Sequence, residues 1–189
     1  AQNGHAPVVT LLLADERVNP NMANENGFTA LLTAAVKGPS PVQTLLIADE
    51  RVYPNNDRSI GFCDLLFAAI KGHASVVTLL LANDRVDPNM ANQNGNTALM
   101  IAAKKGHASV VTLLLADERV DPNMADQNGN TALIFAADKG HASVVTLLLA
   151  NDRVDPNMAN QNGNTALIYA ANKGHASVVT LLLADERVD

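Results

Sequence analysis

Apolar side chains crowd the stretch from Ala108 to Ala116, where Val110, Val111, Leu113, Leu114 and Leu115 exceed what one face of a lone surface helix can bury. Just upstream the pattern is sparser and helical. Ala98, Leu99, Ala102 and Ala103 supply small and apolar positions on one face. Thr97 is placed to cap that shorter helix, and Gly106 to stop it in a left-handed turn. Polar residues then interrupt. Asp121-Pro122-Asn123 breaks the chain, and Asn128-Gly129 signals a tight hairpin turn. Helices of about nine or ten residues are marginal alone in water. This pattern therefore predicts helix pairs that become stable only when neighbouring pairs cover their apolar faces.

The pattern repeats. Gly27, Gly61, Gly95, Gly129 and Gly163 stand 34 residues apart, and so do Gly4, Gly38, Gly72, Gly106, Gly140 and Gly174. Residues Ala74 to His107 recur as Ala108 to His141 and again as Ala142 to His175. The first and third of these copies differ only at Met100/Ile168, Ile101/Tyr169 and Lys104/Asn172. Counting along the register predicts six outer and five inner helices, with no insertion anywhere.

A 34-residue period also suits tetratricopeptide repeats, but their large aromatics at set helix positions are missing. The series Gly95-Asn96-Thr97-Ala98-Leu99, then Ala102-Ala103, Gly106-His107, Val110-Val111 and Leu113-Leu114-Leu115 resembles the ankyrin consensus instead. The resemblance covers essentially residues 1–189 and implies an all-α, ankyrin-repeat solenoid of stacked helix–turn–helix units with β-hairpin-like loops. Several departures stand out. Ankyrin units are typically 33 residues, and the extra residue is expected in the Ala-Asp-Glu-Arg-Val segment after the outer helix. The proline of the family's T-P-L-H motif is Ala98, Ala132 and Ala166, and its histidine is Leu32, Leu66, Met100, Ile134 and Ile168. In the family that histidine links neighbouring units through backbone groups, so its loss implies an apolar link in place of a polar one.

Composition narrows the function. Aromatics make up 3% and Trp is absent, so the core must be aliphatic. A formal charge of −6 argues against nucleic acid as the main partner, since phosphate binding needs a basic surface. No apolar run reaches the roughly 18–20 residues of a membrane span, so no membrane insertion is expected. The single Cys63 suits a reducing compartment, which points to an intracellular location, cytoplasmic or nuclear. Ala1 to His5 matches Ala171 to His175, and Asp189 stops before a hairpin. Residues 1–189 thus read as one array of about five and a half units with both ends cut within a unit. Such an array is expected to be monomeric, with end-to-end stacking through its uncapped ends as an option.

Chemistry has little to stand on. His73, His107, His141 and His175 recur once per unit. Units about 10 Å apart cannot share a zinc bound at roughly 2 Å, so the histidines read as turn residues. Met22, Met90, Met124 and Met158 recur likewise and read as gap fillers. Asp117, Glu118, Arg119 and Asp121 cluster, but the cluster returns in every unit, whereas a catalytic constellation draws unlike groups together once. Cys63 stands where Thr97 caps, and Asp64 is expected to take over capping one residue late. No catalytic, cofactor or metal residue is assigned, and the chain is read as no enzyme.

The copies disagree at one surface. In the resembled family, partners contact hairpin tips and the exposed side of inner helices, which line a concave groove. Carried over by motif, these positions include Gln93, Asn94, Asn96, Lys104 and Lys105 in one unit. Gln127, Asn130 and Asp138 follow in the next, and Gln161, Asn164, Tyr169 and Asn172 in the last. Phe135 and Tyr169 replace Ile101, where burial against the next unit competes with partner contact. Phe28, Ile60 and Phe62 put apolar residues at hairpin-tip positions, and Ile70 replaces Lys104. They suggest an apolar anchor. The expected function is a protein-binding scaffold or adaptor segment, the partner being another protein. Two alternatives are a targeting arm of a larger enzyme, and a substrate for asparagine hydroxylation at Asn89, Asn123 and Asn157.

Overall fold

A computed structural model describes residues 3–22, 24, 29–36, 41–52 and 64–189, leaving aside the side chains of Leu32, Ala35 and Val36. Among the described residues there are eleven helices and no strand. The chain divides into two compact bodies, Ala1–Asp87 and Pro88–Asp189. The first holds α1 (Ala6–Leu13), α2 (Ala30–Val36), α3 (Pro41–Ala48), α4 (Asp64–Lys71) and α5 (Ala74–Leu81). The second holds α6 (Ala98–Lys105), α7 (Ala108–Ala116), α8 (Ala132–Asp138), α9 (Ala142–Leu149), α10 (Ala166–Lys173) and α11 (Ala176–Leu183). The six outer and five inner helices expected from the repeats are all present.

In the second body the inner helices α6, α8 and α10 pack side by side, and the outer helices α7, α9 and α11 pack behind them. The first body repeats this arrangement, α2 against α4 and α1 against α3 against α5. Small residues let the inner helices approach closely: Ala102, Ala103, Ala136, Ala137 and Ala170 are all buried. Leu114, Leu148 and Leu182 fill the space between the two rows, which explains why the outer helices are so apolar. Thr97 and Thr131 cap as expected, each Oγ1 accepting a hydrogen bond from the backbone N–H of Met100 or Ile134 at 3.4 and 3.3 Å. Gly106 ends α6 at φ 76°, in the left-handed region.

One expectation fails at α4. Asp64 is its first helical residue rather than a late cap, so the helix starts where α6 starts at Ala98. The carboxyl is 6% exposed, at a position where the later repeats carry Ala98, Ala132 and Ala166. Burial pushes its pKa up to about 8.

Polar side chains bind each repeat to the next. Asn123 donates its amide to the carbonyl of Arg153 at 2.7 Å and accepts the N–H of Asp155 at 2.8 Å. Asn89 and Asn157 do the same one repeat earlier and later. The Arg153 guanidinium reaches back to the carbonyls of Leu115 and Val120, at 3.0 and 2.8 Å. It thereby satisfies the open C-terminal end of α7, where carbonyls lack helical partners. Arg187 treats Leu149 and Val154 alike at 2.5 and 3.1 Å. The Asp-Glu-Arg segments are thus inter-repeat ties. Within them the Arg119 side chain bonds Asp117 at 2.7 Å and holds that carboxyl below its usual range.

The histidines tie as well. His141 Nε2 lies 3.2 Å from the Lys104 carbonyl, and His175 Nε2 lies 3.1 Å from that of Asp138. The apolar exchange at the family's own histidine holds too, since Met100 and Ile134 are buried. The polar link that was expected to be missing comes instead from the histidine after the glycine.

At the hairpins, the Asp126 carboxylate accepts the N–H groups of Asn128 and Asn130 at 2.9 and 2.8 Å. Asn92 and Asn160 fold their own turns in the same way. Successive turns then meet, Gln127 donating its N–H to Asn94 at 3.1 Å and Gln161 to Asn128 at 2.9 Å. Gly129 has φ 83°, and a Cβ there would lie 2.9 Å from the Gln161 nitrogen. Gly163 shares the left-handed φ, 75°, but faces open space.

Three stability measurements follow from this packing. In urea titrations, Gly163→Ala should lose about 1 kcal/mol from its backbone conformation alone. Gly129→Ala should lose roughly 3 kcal/mol, because backbone cannot yield to the added methyl. Equal losses would contradict the close approach of the hairpins. Asn123→Ala should remove about 2 kcal/mol with its two ties, while Gln127→Ala at the exposed tip should change stability by under about 0.5 kcal/mol. For Asp64 the sign is set by the raised pKa. Below about pH 4 the carboxyl is neutral whether folded or unfolded. As pH rises toward 8 the unfolded chain releases its proton while the folded chain retains it, so stability falls. Asp64→Ala should therefore raise the melting temperature more at pH 8 than at pH 4, and an equal rise at both would show that the carboxyl is not held neutral.

Candidate protein-binding face

In the second body the outer helices cover one side of α6, α8 and α10, and the neighbouring inner helices cover their flanks. The remaining side, with the hairpin tips beside it, is left to solvent along all three helices, and the far flank of α10 is open as well, Ile168 being exposed there. The residues expected there fall into two kinds.

At the tips Gln93, Asn94, Gln127 and Gln161 are exposed. They form a row of their own, Gln127 Nε2 donating to the Gln93 carbonyl at 2.7 Å and Gln161 Nε2 to the Gln127 carbonyl at 2.8 Å. Asn96, Asn130 and Asn164 are half-buried, each held by its backbone N–H to the turn residue four positions earlier. The Asn130 side chain also contacts Asp126 Oδ2 at 3.2 Å and accepts from Asn160 Nδ2 at 2.9 Å. These asparagines shape the hairpins more than they offer free groups.

On the inner helices Lys104, Asp138 and Asn172 occupy the same repeat position, and the structure brings their surroundings together. The Lys104 ammonium sits 4.8 Å from the centre of the Phe135 ring. Asp138 holds Lys139 at 2.8 Å and lies 3.8 Å from the ammonium of Lys173. Asn172 is exposed. Phe135 is 8% exposed and so belongs to the packing, as the burial alternative had it. Tyr169 is half-buried, and its hydroxyl accepts a hydrogen bond from Asn160 Nδ2 at 3.0 Å, leaving only part of the ring to solvent.

Phe28, Ile60 and Phe62 lie outside the described residues, as does Cys63. Ile70 is half-buried in α4 of the first body. The asparagines considered for hydroxylation, Asn89, Asn123 and Asn157, are half-buried, and the carboxamide of each is engaged on both its oxygen and its nitrogen.

Lys139 and Lys173 escaped the sequence reading. That reading followed positions where the copies differ, and the second lysine of each Lys-Lys, Asp-Lys or Asn-Lys pair does not differ. Both are exposed beside residues that do. Asn160 was also passed over: it is 6% exposed and links the Asn130 side chain to Tyr169. Among the described residues no group of three or more His, Cys, Asp or Glu could hold a metal ion. None of the helices described is long and apolar enough to cross a membrane.

The repeat geometry has relatives. The family model for ankyrin repeats (3 copies) matches residues 42–126, 65–160 and 109–189. Among solved structures, the crystal structure of EF0377, an ankyrin repeat protein, is similar to this chain with a TM-score of 0.85 and 28% identity. The similarity covers 96% of this chain and 93% of that one. No curated protein matches. With its threonine-capped inner helices, glycine stops and hairpins in register, this chain belongs to the ankyrin-repeat family, whose members generally act as scaffolds for protein–protein interaction.

Proposed function

We propose that this chain is a protein-binding module whose contact face is the row of hairpin tips and the free side of α6, α8 and α10. One observation carries the reading. Between Pro88 and Asp189 the inner-helix residues Thr97, Leu99, Ala102 and Ala103 recur unchanged, and the buried Met100 and Ile101 positions exchange only among apolar and aromatic side chains. The position bordering solvent instead changes in charge, from Lys104 to the half-buried Asp138 to Asn172. A scaffold whose ties are made internally by Asn, Arg and His leaves such positions to be chosen by something outside the fold. The hairpins are also held by backbone bonds to one another, so the face is preorganised and little ordering entropy opposes binding.

The hydroxylation reading has less in its favour, because the carboxamides of Asn89, Asn123 and Asn157 are already engaged between repeats. An enzyme elsewhere in a longer protein would use this segment in the same way, as its binding arm.

The test is site-directed photocrosslinking in extract from the source cells. A crosslinking side chain is placed in turn at Gln127, at Asn172 and at Thr146, an exposed residue of the outer helix α9. The same protein should be captured from Gln127 and Asn172 and not from Thr146. Capture from Thr146 alone would move the contact face to the outer helices and sink the proposal.

A further inference from the structure

Charge in the second body is sorted by location. Its ten acidic side chains outnumber seven basic ones, and the arginines stand among them while the lysines stand apart. All three arginines, Arg119, Arg153 and Arg187, follow outer helices. Arg153 and Arg187 are engaged with carbonyls of the preceding repeat, and Arg119 with Asp117. Eight of the ten carboxylates lie in those same segments or directly after them. Of the other two, Asp126 is engaged in its hairpin turn and Asp138 lies on the inner row.

Every lysine of this body stands at the last turn of an inner helix or directly after it: Lys104, Lys105, Lys139 and Lys173, all exposed. Lysine in a last helical turn does offset the helix dipole. That accounts for one cation per helix end, but not for a pair at Lys104 and Lys105, nor for the absence of lysine everywhere else in the body. The result is a cationic row along the inner edge of a chain whose net charge is −6.

Resting on the protein-binding reading above, we infer that the row formed by Lys105, Lys139 and Lys173 receives an acidic segment of a partner protein in polyproline II conformation, with a carboxylate at every third residue. Stacked helices place equivalent residues about 10 Å apart. A polyproline II segment has three residues per turn and rises about 3.1 Å per residue, so every third side chain returns to the same side after roughly 9.3 Å. A β-strand cannot match this, because its third residue points to the opposite face. A nucleic acid strand carries a phosphate on every nucleotide, a denser charge than three lysines meet, and the acidic outer segments would repel the excess.

Asp138 is the row's internal competitor. Its carboxylate holds Lys139 at 2.8 Å and reaches toward Lys173 at 3.8 Å, standing where a ligand carboxylate would stand. The bound segment has to displace it, so removing its charge strengthens binding. A surface whose lysines served only the helix ends would lose nothing and gain nothing for a ligand by this change.

The probe is a fluorescein-labelled peptide of four Glu-Pro-Pro triplets, followed by fluorescence anisotropy at low salt with the full chain. Binding is expected, with none to the Gln-Pro-Pro counterpart. The combined variant Lys105→Gln, Lys139→Gln, Lys173→Gln should bind about tenfold more weakly, as three exposed ion pairs allow. Asp138→Asn should bind roughly threefold more tightly. Far-UV circular dichroism shows whether each variant is folded. Should the triple variant unfold, the gain by Asp138→Asn still decides, because misfolding does not tighten binding. No binding of the Glu-Pro-Pro peptide by the folded chain would overturn the inference, as would unchanged affinity in both variants. Tighter binding of a twelve-nucleotide oligothymidylate, lost in the triple variant, would overturn it in favour of nucleic acid. If the peptide fails while Gln127 and Asn172 still crosslink a protein, the contact face stands and only the acidic chemistry falls.

Discussion

Each described helix has seven to nine residues, too short to persist alone in water, so each depends on the repeat beside it. That dependence organises everything else. It requires alanines on the inner helices, since only small side chains let the rows approach. It requires leucines and valines on the outer helices, where neighbours bury Val110, Val111, Leu114, Val144, Val145 and Leu148, while Leu11 and Leu183 on the terminal outer helices stay exposed. It also requires polar ties that reach exactly one repeat away, which Asn123, Arg153 and His141 supply at the hairpin, the outer helix end and the inner helix end.

Most ties and most of the contact face occupy different residues, although Gln127 and Gln161 serve as both, each side chain donating to the carbonyl of the preceding tip. Asn89, Asn123 and Asn157 bridge repeats through their side chains and are half-buried. Gln93, Gln127 and Gln161 follow a few residues later and project from the tips. The inner helices divide in the same manner, with Ala102 and Ala103 buried and Lys104 and Lys105 exposed one and two positions on. Such a division lets the residues at the Lys104 and Lys105 positions change without touching the side chains that hold the repeats together.

Much of this was legible in the sequence, and the limits were physical. The repeat length, the threonine caps and the glycine stops are local signals. In the second body Thr97, Thr131 and Thr165 cap as the pattern places them, and Gly106 and Gly174 end α6 and α10, while α8 ends at Lys139, one residue before Gly140. The ties were not legible as ties. Asp117 and Arg119 read as a charged cluster, because nothing local says that the equivalent Arg153 reaches the carbonyl of Leu115, 38 residues away in sequence. Asp64 misled for a similar reason: next to a missing threonine it resembles a cap, but the helix already includes it. Variation between copies pointed to Lys104, Asp138 and Asn172, and it was blind to Lys139 and Lys173, which do not vary.

The offsets of the ties have a consequence for how such a chain can change. Asn123 spans 30 and 32 residues, the Gln161 side chain 34, His141 37 and Arg153 38, and these spans overlap. A single inserted residue must either bulge into solvent or break a tie somewhere. Copying or deleting a whole repeat leaves every tie intact. Growth in whole copies is therefore the easy route for the gene, and the near-identity of Ala74 to His107 with Ala142 to His175 is what a chain lengthened by that route would carry.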